Sequence, residues 1–183
     1  MFVHLNIHSV YSAMRGLLSL TDMIKIARSY SMNTLALTDV NGIWGFIRFV
    51  QHCNNSEIRP IAGVNLMTDT QEVVILVENQ YGYENLCRII SEVHDDHTQI
   101  ISDILKNYSS GLFVLSHDIS TLKALKDFIP DTHLFIELRP GMEESAIQQL
   151  AKDLKLEIVA TGDVYFKKKS DHISHMILCA IDH

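Results

Sequence analysis

Glu72-Val73-Val74-Ile75-Leu76-Val77 is echoed further along the chain by Gly111-Leu112-Phe113-Val114-Leu115. Both runs are apolar at nearly every position instead of at every second one. A strand built this way is covered on both faces, which is the situation of a mostly parallel sheet lying under helices. Working outward, similar runs rich in Val, Ile, Leu and Phe fall at 3–7, 34–38, 59–64, 111–116, 133–138 and 156–160, giving seven strands with 72–78. Helical spacing fills most of the gaps, at about 20–30, 43–54, 83–93, 98–107, 119–129, 143–154 and 170–181. Ser19 is placed to cap the first helix, with Asp22 reaching back in a capping box. Strand alternating with helix, without a Gly/Ser linker or repeat, is an α/β fold. Gly42-Ile43-Trp44-Gly45 lacks the spacing of a dinucleotide loop, so a distorted, seven-stranded, TIM-like (β/α) barrel is favoured over a Rossmann sheet.

Composition narrows the function. Hydrophobic residues make up 47% of the chain, enough for a real core, and the length suits one domain over 1–183. Fifteen Lys and Arg against 22 Asp and Glu leave a formal charge of −7, so the domain as a whole repels a phosphate backbone. Lys167-Lys168-Lys169 reads as a solvated loop. Cys53, Cys87 and Cys179 are odd in number and far apart, which supports neither a disulfide framework nor a zinc finger. No segment has the length and apolarity of a membrane span, and a cytoplasmic location is expected. There is no nucleophile elbow and no P-loop.

Polar residues gather where the predicted strands end. The first gives Asn6 and His8, the second Asp39 and Asn41, the third Asn65, the fifth Ser116, His117 and Asp118, and the last Thr161 and Asp163. In a barrel these ends converge on one rim, and imidazoles and carboxylates there suit Zn, Mn or Fe. Each residue also has a plainer reading. Asp39-Val40-Asn41-Gly42 is a good turn, and His117 with Asp118 can cap the next helix. His94-Asp95-Asp96-His97 and the pair His172 and His175 read as solvated helix faces.

Several segments, taken in order, resemble one family. They are His8-Ser9-Val10-Tyr11-Ser12 with Arg15-Gly16, Leu35-Ala36-Leu37-Thr38-Asp39, Pro60-Ile61-Ala62-Gly63, Asn79-Gln80-Tyr81-Gly82-Tyr83-Glu84-Asn85-Leu86 and Val159-Ala160-Thr161-Gly162-Asp163-Val164. Together they resemble the PHP (polymerase and histidinol phosphatase) domain, in the form found at the N-terminus of bacterial DNA polymerase III α subunits. The resemblance implies a barrel whose rim, in active members, holds two or three metal ions for phosphoester hydrolysis. It also implies that this chain is an N-terminal piece of a longer DNA-directed DNA polymerase.

Carried over residue by residue, the implied ligand pattern is broken. The first histidine falls on Asn6 and the second on His8; the next motif keeps Asp39 but puts Val40 in place of histidine. A glutamate falls on Asn65, a histidine on Glu72, and a cysteine or histidine near His117 or Asp118. The closing motif keeps Asp163 and has Tyr165 where histidine stands in the family. Valine cannot ligate, and a phenol with a pKa near ~10 stays protonated. The vestigial metal candidates are therefore His8, Asp39, Glu72, Asp118 and Asp163, with at most one weakly held Zn or Mn ion and no catalytic residue. The resemblance thus implies a structural domain that docks partners. Those partners are the other polymerase domains and a separate proofreading exonuclease subunit; DNA is reached only through the full-length protein, and no membrane is involved. The alternatives are an active metal-dependent phosphoesterase or 3′–5′ proofreading exonuclease using those five residues, and a free-standing PHP phosphatase.

Overall fold

The computed structural model describes residues 2–68, 70–96 and 99–181. Among them, six of the seven predicted runs form strands: β1 (Thr34–Leu37), β2 (Arg59–Met67), β3 (Glu72–Val77), β4 (Leu112–Ser116), β5 (Leu134–Leu138) and β6 (Glu157–Ala160). The helices are α1 (Leu20–Ser29), α2 (Phe46–Asn54), α3 (Gln80–Asp95), α4 (Ile101–Tyr108), α5 (Ile119–Lys126), α6 (Glu144–Leu154) and α7 (His172–Ile181). The α/β class therefore holds. His97, from the acidic histidine cluster, Thr98, from the predicted 98–107 helix, and the last two residues lie outside the described residues.

The chain groups into two compact units, Met1–Val64 with Gly162–His183, and Asn65–Thr161. In the first, β1 pairs parallel with β2, Thr34 opposite Arg59 and Leu37 opposite Ala62. Phe49 and Cys53 of α2 and Met23, Ile24 and Ala27 of α1 share one buried cluster with Leu35 and Leu37. Ser19 caps α1 as expected, accepting from Asp22 N at 3.1 Å. Asp22 in turn takes Lys167 Nζ at 3.0 Å, so the lysine run is pinned at its first member. α7 contains no charged residue and leaves Ile173, Met176, Ile177 and Ile181 exposed. No helix among the described residues is long and apolar enough to cross a membrane.

Among the described residues the seventh predicted strand, 3–7, makes one isolated parallel bridge, Ile7 to Val164, and no ladder. The segment is nonetheless extended between two neighbours. His4 O and Ile7 O accept from Ala36 N and Thr38 N, while His8 N donates to Val164 O. Its pairing is too sparse to make a ladder. That leaves its polar residues, Asn6 and His8, to settle its place.

In the second unit β4, β5 and β6 run parallel, Ser116 opposite Ile136 and Leu138 opposite Ala160. Against expectation, β3 runs antiparallel to β4, with Val74 opposite Leu115. The link from Met67 to Glu72 is too short for a crossover, and Thr68 N donates to Gln71 O as the chain reverses. Two helices in series, α3 and α4, then carry the chain to β4, where a single helix would return it in parallel. The reversal sets Glu72, the first residue of β3, beside the C-terminal end of β4, where Ser116 Oγ donates to Glu72 O at 3.1 Å.

Candidate functional site

In the first unit, Asn6 to Ser12 and Gly162 to Tyr165 are clipped together by the backbone. His8 N donates to Val164 O at 2.8 Å and Val164 N to Asn6 O at 3.1 Å. Asp163 adopts a left-handed φ of 45°, which aspartate tolerates better than most residues. Its Oδ1 lies 3.1 Å from His8 Nε2 and 3.4 Å from Asn6 Nδ2. His8 is fully buried, and its ring stacks on Tyr165 with centroids 4.0 Å apart and planes 9° from parallel. A buried imidazole needs such a partner, because an unpaired polar group away from water costs free energy.

Asn6 is oriented by its neighbours. Thr38 Oγ1 donates to Asn6 Oδ1 at 3.0 Å and itself accepts from Ile7 N at 2.9 Å. With its carbonyl end engaged by Thr38, Asn6 presents N–H groups to Asp163. An amide binds a metal ion through oxygen, so Asn6 acts here as a donor to the acid.

Asp39 is almost completely buried. The residues that hold it are two serines, one of them through its backbone N–H as well as its hydroxyl. Oδ1 accepts from Ser9 N at 2.6 Å and Ser12 Oγ at 2.7 Å, and Ser9 Oγ lies 2.9 Å from both carboxylate oxygens. Ser12 Oγ also accepts from Val40 N, tying the strand end to the same hydroxyl. Burial raises the Asp39 pKa above its ordinary 3.8, and the serine hydrogen bonds and the nearby His8 oppose that rise. A raised folded value means that ionisation of Asp39 works against folding, so its contribution is largest in acid and is lost as pH rises through the folded value. Wild type is therefore expected to gain stability relative to Asp39→Asn as pH falls from neutral toward 3.8, levelling off below. Urea unfolding of both proteins across that range checks it; a difference that is flat, or that favours the variant in acid, contradicts it.

The second unit has its own polar cluster, centred on residues that motif reading passed over. Glu137 of β5 is fully buried and accepts from Thr161 Oγ1 at 2.6 Å and from Arg139 Nε at 2.8 Å. Arg139 Nη2 donates to Glu72 Oε1 at 2.7 Å, and Asn65 Nδ2 donates to the same oxygen at 2.9 Å. His117 Nδ1 stands 3.7 Å from Glu137 Oε2. Asn65 lies inside β2, not after its end, and faces this cluster. The signal for Glu137 was present in the sequence. An acid inside the apolar run Leu134-Phe135-Ile136-Glu137-Leu138 demands a partner, and Arg139, two residues on, shares its face.

Other candidates are spent elsewhere. The Asp118 carboxylate caps α5, accepting from Thr121 N at 2.6 Å. That role explains it without a ligand; burial pushes its pKa up, but hydrogen bonds from the Ser120 hydroxyl and from Thr121 hold it below the ordinary carboxylate value. His175, expected on a solvated face, is partly buried, with Nδ1 2.8 Å from Arg15 O and its ring against Tyr165 and Phe166. The three cysteines are free thiols, and burial pushes Cys53 up to about 12.

A bridged metal cluster needs several lone pairs converging on each ion. In the first unit Asp39 is enclosed by serine donors, Asn6 turns its N–H groups toward Asp163, and Tyr165 lies flat against His8. In the second unit Glu72 and Glu137 already share a guanidinium. Among the described residues no three His, Cys, Asp or Glu side chains are grouped as a metal site requires. The residues present do not fit a two-ion cluster within either unit.

Comparison with known proteins agrees with the order of these segments. The model of the PHP domain matches residues 4–166. The DNA polymerase III subunit alpha of Buchnera aphidicola subsp. Acyrthosiphon pisum is 31% identical over 99% of this chain, and that of Escherichia coli O6:H1 is 30% identical over 98%. The chain spans only 19% and 18% of those two relatives. Among solved structures, a two-domain protein from Bacteroides vulgatus containing a predicted PHP-like metal-dependent phosphoesterase superposes with a TM-score of 0.64 at 15% identity, over 89% of this chain and 51% of that one. An amidohydrolase from Chromobacterium violaceum reaches 0.61 at 12% identity, over 89% and 87%. At such identities these structures speak for the fold alone. From residue 4 to residue 166 the chain belongs to the PHP domain family, and it matches the PHP region of DNA polymerase III α subunits.

Proposed function

We propose that this chain, as one domain over 1–183, serves a DNA polymerase III α subunit as a structural and partner-docking domain without catalysis of its own. The observation that carries this reading is the use made of the two retained acids. Asp39 is bound by Ser9 and Ser12, and Asp163 by His8 and Asn6, so both acids are already engaged by groups of the protein. Two-metal hydrolysis requires both ions to clamp the attacking and leaving oxygens, and at most one weakly held Zn or Mn ion suits what remains. The barrel belongs to the same proposal: six strands and the extended segment 3–8 supply seven extended stretches in chain order. The partners are the remaining polymerase domains and a separate proofreading exonuclease subunit. The net charge of −7 favours contact with DNA only through the whole protein, and the location is the cytoplasm.

The test is hydrolysis of 3′-labelled DNA, matched and mismatched at the terminus, by the purified chain with Mg, Mn or Zn. No release of the terminal nucleotide is expected. Release that Asp39→Asn and Asp163→Asn both abolish overturns the proposal in favour of an active phosphoesterase.

A further inference from the structure

α1 turns Leu20, Met23, Ile24 and Ala27 to the interior of the first unit. Ala27 is the smallest of the four, in a stripe otherwise built of long side chains. A cavity of about 140 Å³ lies against it, lined also by Ile7, Leu18, Met23 and Leu35. Native interiors hold few voids larger than a water molecule, because the atoms around a void forgo packing contacts. An apolar cavity of about 150 Å³ is large enough to take benzene.

Three features of the lining set the chemistry of an occupant. The thioethers of Met23 and Met32 and the ring of Phe166 face the space, and such groups favour a flat aromatic body over an aliphatic one. His4 lines it as well, and its Nδ1 is buried with no hydrogen-bond partner. Burial lowers the His4 pKa below its ordinary 6.5, so the imidazole is neutral at pH 7 and suits an uncharged hydroxyl. Lys167, the lysine of the lining, already donates to Asp22 Oδ2 at 3.0 Å. Its charge is matched, and no carboxylate on the occupant is called for.

We propose that this cavity is a binding site for a small uncharged aromatic molecule bearing one hydroxyl, of the size of phenol, with its ring against Met23 and Ala27 and its hydroxyl bonded to His4. The small side chain at position 27 makes the room, and the imidazole selects what enters it. The site lies wholly within the first unit, and the inference does not depend on the polymerase role.

The test titrates the full 183-residue chain with phenol, and separately with benzene, up to about 10 mM while its methionine methyl groups are followed by NMR. Phenol is expected to move the Met23 and Met32 signals and to leave Met67 and Met142 of the second unit in place. It should bind about tenfold more tightly than benzene, the effect of one hydrogen bond. His4→Phe should take both probes equally, and Ala27→Leu, which fills the space, should take neither. If Ala27→Leu does not fold, Ala27→Val is read in its place and should weaken phenol at least about threefold. Met23 and Met32 signals that ignore phenol, or shifts that spread to Met67 and Met142, overturn the proposal. So does equal affinity of wild type for the two probes, a preference for phenol that survives His4→Phe, or binding undiminished by the change at position 27.

Discussion

Arg139→Ala is expected to lose about 3–5 kcal/mol of folding stability at neutral pH in the presence of chelator, the usual cost of stripping a buried charge of its partner. The loss comes less from bonds forfeited than from what is left behind. Glu137, without exposure, and Glu72 would confront each other with no guanidinium between them, Thr161 donating to the first and Asn65 to the second. Arg139→Lys should lose less, because the ammonium keeps the charge, but it cannot reproduce the fork that serves both acids at once. Urea unfolding at pH 7 measures all three proteins. A loss below about 1 kcal/mol for the alanine variant would mean that the cluster behaves like an exposed ion pair.

The second large effect is expected at Gly16. A Cβ built there would stand 1.7 Å from Ser9 O and 2.6 Å from Ser9 C, backbone atoms that cannot rotate away. Gly16 N also donates to Ser12 O, so the residue is held against the loop from both ends. Gly16→Ala must push Ser9 aside, and Ser9 supplies Asp39 with both its N–H and its hydroxyl. We expect a loss of about 3 kcal/mol, at the upper end for forcing one carbon into a packed site. Ser12→Ala, which removes one hydroxyl and shifts no backbone, should lose about 1–2 kcal/mol. Thermal and urea unfolding compare them, and equal losses would show that steric displacement of the Asp39 loop is not the cause.

Much of this architecture can be read directly from the residues. The strands at 72–77 and 112–116 are legible because unbroken apolar runs have few other uses, and α1 is legible because Ser19 and Asp22 announce its start. The direction of β3 is not, since periodicity reports burial and says nothing of polarity. The clue lay in the length of the link before Glu72. The run 3–7 looks like a strand by composition, yet its neighbours are brought by residues 36–38 and 164, far away in sequence. At the site, the pairing of His8 with Asp163 follows from the cost of burying an imidazole. The serines around Asp39 stayed hidden because Ser9 and Ser12 look the same in a turn as in a carboxylate cradle. Arg139 stayed hidden because an arginine just after a strand looks the same whether its head reaches water or a buried acid.

The clip between residues 6–8 and 163–165 bears on how the protein is made. Asn65–Thr161 is continuous in the chain and can condense as a unit while synthesis proceeds, whereas the first unit is split between the two ends. His8 and Asp163 are 155 residues apart. At roughly 5–20 residues per second, His8 is polymerised about 8–30 s before Asp163. During that interval Ile7 has no Val164 to pair with, and residues 6–8 are made long before the segment that holds them. Nascent chains stalled before Gly162 should therefore present this N-terminal stretch to chaperones and proteases, and chains released past Tyr165 should withdraw it.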